Sequence, residues 1–281
     1  VYFTAFTWGG LDLAVLADRQ FKDSASDVVP DGKVVNGWFQ AEGFDPRDAD
    51  VPGASFLGAR QEAFLEDWSR RREPDAWAKV VLSQTPFVNI ATIPEEASGG
   101  GVLPSLPVPE PGDYPEGYRL AADTDSGGWP QAARTRAVAA MARAGAVHLA
   151  GDQHLGSLVQ YGVERHRDGG YAFTSPAIAN TWPRRWWPPV AGADPEPGAP
   201  HYTGDFIDGF GNLMTVWAVA NPVRSGREPA ALYDRMPGYG IIRFDRAAST
   251  VAFECWPRWV DPGAAGAAQY PGWPRNVSLG D

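Results

Sequence analysis

Ala146-Val147-His148-Leu149-Ala150-Gly151-Asp152-Gln153-His154 is the stretch that decides how this chain folds. Ala146 to Ala150 is a short, nearly continuous apolar run, the texture of a buried strand. Before it, Pro130 to Gly145 is rich in Ala and Arg and reads as a helix. After it, a polar loop begins at the strand's C-terminal end. Helix, strand and loop in that order predict an α/β sheet, where polar residues just past a strand end line the ligand crevice.

Working outward, Leu11 to Ala17 and Ala78 to Leu82 read as two more buried strands. Between them, Gly58 to Arg72 predicts an amphipathic helix. Ala63, Phe64 and Trp68 fall on one face, and Glu62, Glu66 and the Arg70 to Arg72 run on another. Val1 to Trp8, Leu158 to Tyr161, Tyr171 to Thr174, Leu213 to Ala220, Gly240 to Phe244 and Thr250 to Trp256 read as further strands. Phe87 to Gly128 is a long excursion, with Gly99 to Gly101 and a Pro-rich stretch from Pro104 to Pro115. Loops of that length act as lids or stay disordered. Thr181 to Pro200 is irregular and rich in Trp and Pro. No repeat or linker divides residues 1–281, so one domain is expected. The chain opens on a strand with no basic or apolar leader before it, which predicts a processed chain or a piece of a longer one.

Composition narrows the function. The 281 residues include 34 acidic and 24 basic ones, a formal charge of −10. That balance argues against a nucleic-acid-binding surface, which needs clustered Lys and Arg. No apolar run is long enough to span a bilayer. The single cysteine, Cys255, excludes an internal disulfide and a Cys-rich zinc site. There is no G-x-S-x-G elbow, no P-loop and no G-x-G-x-x-G.

Four histidines remain: His148, His154, His166 and His201. His154 lies two residues after Asp152, with Gly151 and Gly156 letting the backbone turn tightly. Imidazole and carboxylate together suit a transition metal; the alternative is a capping Asp and a backbone-bonded His. His148 reads as a hydrogen-bonded core residue and His166, between two arginines, as solvated. His201 opens a Gly-rich loop with Gly204, Asp205 and Asp208 that could reach a cation or a substrate, or be turn chemistry alone. Arg19 and Lys22 follow the first buried strand and could bind an anionic substrate such as phosphate, or form surface ion pairs. Asp123 and Asp125 precede the helix, where Asp is also a good N-cap. Trp182, Trp186 and Trp187 could stack on a sugar or base, or plug the core.

These pieces, in order, resemble the PhoD-like (alkaline phosphatase D) branch of the calcineurin-like metallophosphoesterases. The matching segments are Phe6 to Gly9, Leu16 to Lys22, Phe56-Leu57-Gly58 with Gln61 and Trp68, Leu82 to Phe87, Asp125 to Pro130, Leu149 to His154 and Ser175 to Asn180. The resemblance implies an α/β/β/α sandwich and metal-dependent hydrolysis of phosphate esters, as phosphomonoesterase or phosphodiesterase. It further implies calcium and iron as the metals and an extracellular or periplasmic setting. By the same resemblance Asp152 and His154 are metal ligands and catalytic residues, Asp125 is a further ligand, and Arg19 sits near the phosphate, with Lys22 and His201 as substrate-binding candidates. The family's earlier metal motifs precede the segment matching Phe6 to Gly9, and no histidine precedes His148 here. The expectation is therefore the C-terminal portion of such a domain, its N-terminal half missing and its dinuclear site incomplete. A different class of function, a catalytically inactive relative binding a polyanion or glycan through the Trp182 to Trp187 segment, is the alternative.

Overall fold

Side chains alternate along the apolar runs, so each strand has two faces to bury, and two different layers cover them. A computed structural model describes residues 2–97, 107–179, 182 and 184–279. Val1, Gly99 to Gly101, Pro104, Asn180 and Thr181 lie outside the described residues. The chain begins with the antiparallel pair β1 (Thr4–Trp8) and β2 (Leu11–Val15). A one-turn helix α1 (Ala25–Val28) and the short pair β3 (Val34–Val35) and β4 (Trp38–Phe39) follow. Helix α2 (Ala59–Arg70) leads to β5 (Ala78–Leu82). A second short pair, β6 (Thr92–Pro94) and β7 (Tyr118–Leu120), precedes helix α3 (Gln131–Arg143) and β8 (Val147–Ala150). Strands β9 (Ser157–Tyr161), β10 (Tyr171–Thr174), β11 (Gly204–Ile207) and β12 (Leu213–Val219) come next. A one-turn α4 (Ala230–Tyr233) precedes β13 (Gly238–Asp245), β14 (Thr250–Pro257) and β15 (Arg275–Ser278).

The large sheet runs β1-β2-β5-β8-β10-β9-β12-β11. Its centre, β2, β5, β8 and β10, is parallel. The path from β2 to β5 to β8 steps across the sheet in one direction, so right-handed crossovers put α2 and α3 on the same face. Leu65 and Trp68 of α2 and Ala137, Val138 and Met141 of α3 are buried there against Val81, Val159, Ala172 and Val216. An ion pair of 3.0 Å between Arg136 and Glu62 joins the helices at their outer edge. The intervening side chains Val147, Leu158, Phe173 and Ala218 point the other way. They meet Val251, Phe253 and Cys255 of the small antiparallel sheet β13-β14-β15. Phe173 and Phe253 stack with centroids 5.8 Å apart. A Cβ on Gly240 would come within 2.3 Å of the Phe173 ring, which is why a glycine stands inside β13.

The protein is thus α/β, as the sequence predicts, with layers of helix, large sheet and small sheet. These are three of the four layers the resemblance implies, and no second helical layer forms among the described residues. Gly204–Ile207, read as part of a Gly-rich loop, is instead edge strand β11. Tertiary pairing with β12 overrides the poor strand propensity of Gly and Asp.

One buried charge inside an apolar run went unremarked in the sequence. Asp12 of β2 is fully buried against α2 and accepts from Trp68 Nε1 at 2.9 Å and Arg71 Nη2 at 2.6 Å. The Lys79 ammonium lies 3.7 Å away. Asp12→Ala is expected to lower the unfolding free energy by about 2–3 kcal/mol, because it leaves a buried N–H and a partly buried cation without their acceptor. Urea unfolding measures this, and a loss below about 0.5 kcal/mol would contradict the buried-pair assignment.

Candidate active site

The C-terminal ends of the central parallel strands are stitched to one another. Leu16 N donates to Leu82 O at 2.8 Å and Ser83 N to Leu149 O at 3.1 Å. Beyond the ends, the buried carboxylate of Asp18 accepts from Gln84 N (2.9 Å), Thr85 N (3.1 Å) and Thr85 Oγ1 (2.6 Å). Gln84 O in turn accepts from Gly151 N (3.1 Å) and Asp152 N (2.8 Å). The loop after β2 therefore fixes the loop after β5, which fixes the loop after β8. Asp18 and Gln84 were not singled out in the sequence. The available signal was an Asp directly beyond a buried strand and directly before Arg19.

Beneath the loops, a directional hydrogen-bond chain holds His148. Phe87 N donates to the Tyr161 hydroxyl at 2.9 Å, and that hydroxyl lies 2.7 Å from His148 Nδ1. His148 Nε2 lies 2.6 Å from Ser83 Oγ, which donates to Thr85 O. The directions agree only if Tyr161 donates to Nδ1 and Nε2 carries the proton. Burial pushes the His148 pKa down to about 3. His148 is the neutral core histidine the sequence suggested.

The loops border a crevice of about 220 Å³. Arg19 Nη1 donates to Asp152 Oδ2 at 2.8 Å, and Arg19 Nη2 lies 3.9 Å from Asp125 Oδ1. His154 Nε2 meets Asp152 Oδ1 at 3.0 Å. That bond, with Arg19 alongside, holds the Asp152 carboxyl below the usual carboxylate range, so it is ionised at neutral pH. His154 Nδ1 is buried and has no hydrogen-bond partner. The chain turns tightly after Gly151, whose carbonyl accepts from Gln153 N at 2.9 Å, and the left-handed residue of the turn is His154, with a φ of 59° that is strained for a residue with a Cβ. Gly151 has ordinary space around it. Gly156 does not, because a Cβ there would lie 2.9 Å from Cys255 Sγ.

Asn36, Trp182 and Arg184 enter the crevice from loops, and Trp38 from strand β4. Arg184 pairs with the buried carboxylate of Asp123 and lies 5.5 Å from the Trp38 ring centre. Asp123 and Asp125 do not cap α3, whose N-cap is Pro130. Asp123 Oδ1 accepts from Asp125 N at 2.9 Å, which shapes the turn that carries both.

The structure brings Arg19, Asp125, Asp152 and His154 together, leaves Lys22 outside their crevice and places His201 elsewhere. Lys22 Nζ is engaged beneath the Asp123–Ser126 turn by Thr124 O and by Ser126 O, the latter at 2.5 Å. It borders an adjoining recess of about 300 Å³ that Arg19 and Asp125 also line. His201 lines a different cavity, with its ring 4.6 Å from that of Tyr114. Asp205 accepts from Thr215 and Arg167, and buried Asp208 from Asn89 N, Phe210 N and Asn212. His166 bonds Phe206 O at 2.9 Å rather than being free in solvent. Trp186 and Trp187 are buried; Trp182, exposed, borders the crevice.

Desolvation lowers the Lys22 pKa to about 8. Between pH 8 and 10.5 the unfolded chain then holds a proton that the folded one has released, so unfolding free energy rises with pH there, by up to about 1.4 kcal/mol per unit. The difference in stability between the wild type and Lys22→Met is expected to climb across that window. A flat difference would contradict the burial of the ammonium.

A sequence model of the PhoD-like phosphatases matches residues 1–182, well over half of the chain. The chain belongs to the PhoD-like phosphatase family. A solved structure described as "Structure of PhoD" matches with a TM-score of 0.49 and 17% identity, over 98% of this chain and 44% of its own. The chain thus spans less than half the length of that PhoD structure. No curated protein matches it.

PhoD-like phosphatases are generally metal-dependent, so the donor set is the next test. Both Asp152 oxygens and His154 Nε2 are engaged by one another and by Arg19, with Gln84 Nε2 at 3.4 Å. Among the described residues no group of three or more His, Cys, Asp or Glu could hold an ion. A complete centre needs at least about four donors. The residues present do not fit one.

Proposed function

We propose that this crevice binds the phosphate group of an ester and takes part in its hydrolysis, as a phosphomonoesterase or phosphodiesterase. The position of Arg19 carries the proposal. Its guanidinium stands beyond the end of a central parallel strand, braced by Asp152 and close to Asp125, in a crevice that also holds Arg184. A guanidinium fork matches two phosphate oxygens at once and stays charged at every working pH. Asp152 also sets the orientation of the His154 ring through Nε2. The calcium and iron implied by the resemblance require donors beyond Asp152, His154 and Asp125. We place those donors outside the described residues, so hydrolysis belongs to the whole gene product. An extracellular or periplasmic setting goes with this function. No helix among the described residues is long and apolar enough to cross a membrane.

The test is release of p-nitrophenol from p-nitrophenyl phosphate and from bis(p-nitrophenyl) phosphate by the full gene product, across a series of divalent metals. Faster release from one ester assigns mono- or diesterase. No release from either overturns the proposal.

A further inference from the structure

Beside the phosphate crevice lies a larger cavity of about 550 Å³, within the range of small-molecule sites. The two share one wall, Trp38, which borders both. The floor of the larger cavity is apolar, with Trp38, Ile93 and Ala97 each less than 10% exposed. Phe44 and Ile207 line it further out, and Ile207 is 39% exposed, a β-branched side chain facing water beside an open cavity. Arg119 also borders it and donates from Nη2 to Ala97 O at 3.1 Å.

From the shared wall we infer that this cavity receives the alcohol portion of the substrate, and that the substrate is a phosphate ester of a bulky apolar or aromatic alcohol. The inference rests on the phosphate assignment above. The 220 Å³ crevice is polar, with the Arg19 and Arg184 guanidinium groups beside three carboxylates, surroundings that do not suit an apolar group. The neighbouring cavity offers an apolar floor across one indole, with Arg47 and Arg119 at its border. An ester spanning Trp38 places each half in the matching surroundings, and the apolar half adds binding in proportion to the area it removes from water.

Calorimetric titration of the folded chain with three probes tests this: methyl phosphate, 1-naphthyl phosphate and 1-naphthol. We expect 1-naphthyl phosphate to bind at least about tenfold tighter than methyl phosphate. Ile207→Glu, which places a charge at the rim of the cavity and away from the crevice, should erase that advantage and leave methyl phosphate unchanged. Equal affinity for the two esters in the wild type overturns the inference whether or not the variant folds. An advantage that survives in a folded Ile207→Glu protein overturns it too. Binding of 1-naphthol that Ile207→Glu abolishes, without binding of methyl phosphate, supports the apolar cavity and overturns the phosphate assignment instead. Binding of none of the three overturns both.

Discussion

Asp152→Asn in the full gene product is expected to lower kcat/KM for a phosphate ester by about 10²–10³-fold, the cost typical of disabling one preorganised donor to the reacting group, here Arg19. Asp152 is where the crevice converges. Its backbone N–H is fixed by Gln84 O, one carboxylate oxygen braces Arg19 and the other orients His154. An asparagine keeps the shape but carries no charge, so it cannot hold the guanidinium and the imidazole together. Arg19→Met should cost a similar factor, since it removes the phosphate-binding fork. Because the two act as one unit, the double variant should fall no more than about tenfold below either single one. Fold stability should hardly move, because the Arg19 and Asp152 side chains are 40% and 32% exposed and exposed pairs contribute little. Near-normal turnover in Asp152→Asn, or strictly multiplicative losses, would contradict the assignment.

The second large effect concerns stability in acid. His148 is buried, neutral and bonded on both ring nitrogens, with a pKa near 3 against about 6.5 in the unfolded chain. Its folded pKa is the lower one, so below pH 6.5 the unfolded chain binds a proton that the folded one refuses. The His148 contribution is full above pH 6.5 and is lost as pH drops, by about 1.4 kcal/mol per unit, the loss approaching about 5 kcal/mol near pH 3. That is comparable to the whole stability of an ordinary domain. Carboxylates held low in the native state, Asp152 and Asp168 among them, act in the same direction but below about pH 4. Asp208, whose burial raises its pKa, acts in the opposite sense. Asp208 is present in wild type and variant alike, so the difference between their profiles from pH 6.5 to 4.5 isolates His148. In His148→Gln the unfolding free energy should depend on pH much less steeply there, although its value at pH 7 is lower. Parallel pH profiles of variant and wild type would show that His148 is not the buried neutral group described.

What the sequence made legible follows from what is local. Ala78–Leu82 and Tyr171–Thr174 are strands within the residues expected, because a short apolar run bounded by turns carries its own signal. The Gly-Asp-Gln-His turn at a strand end pointed to the crevice for the same reason. Asp12 was invisible because its partners Trp68 and Arg71 are 56 and 59 residues away. Trp38 reaches the crevice from the two-residue strand β4, too short to carry a periodic signal, and Arg184 lies inside the Trp182 to Trp187 segment, where the tryptophans and not the arginine drew attention. His201 shows the converse: residue type and a Gly-rich neighbourhood made it a candidate, and the path of the chain placed it against Tyr114 in another cavity. The turn after Gly151 forms where the glycine suggested it, while its left-handed residue, His154, carries no signal in its own residue type.

The most direct measurement is anomalous diffraction from crystals soaked in tungstate, a tetrahedral oxyanion that stands in for phosphate. The strongest tungsten peak should lie within hydrogen-bond distance of the Arg19 guanidinium, in the crevice bordered by Asp152, His154 and Arg184. A strongest peak elsewhere, such as the Tyr114–Trp187 cavity, with none at Arg19, would contradict the assignment of this crevice to the phosphate group.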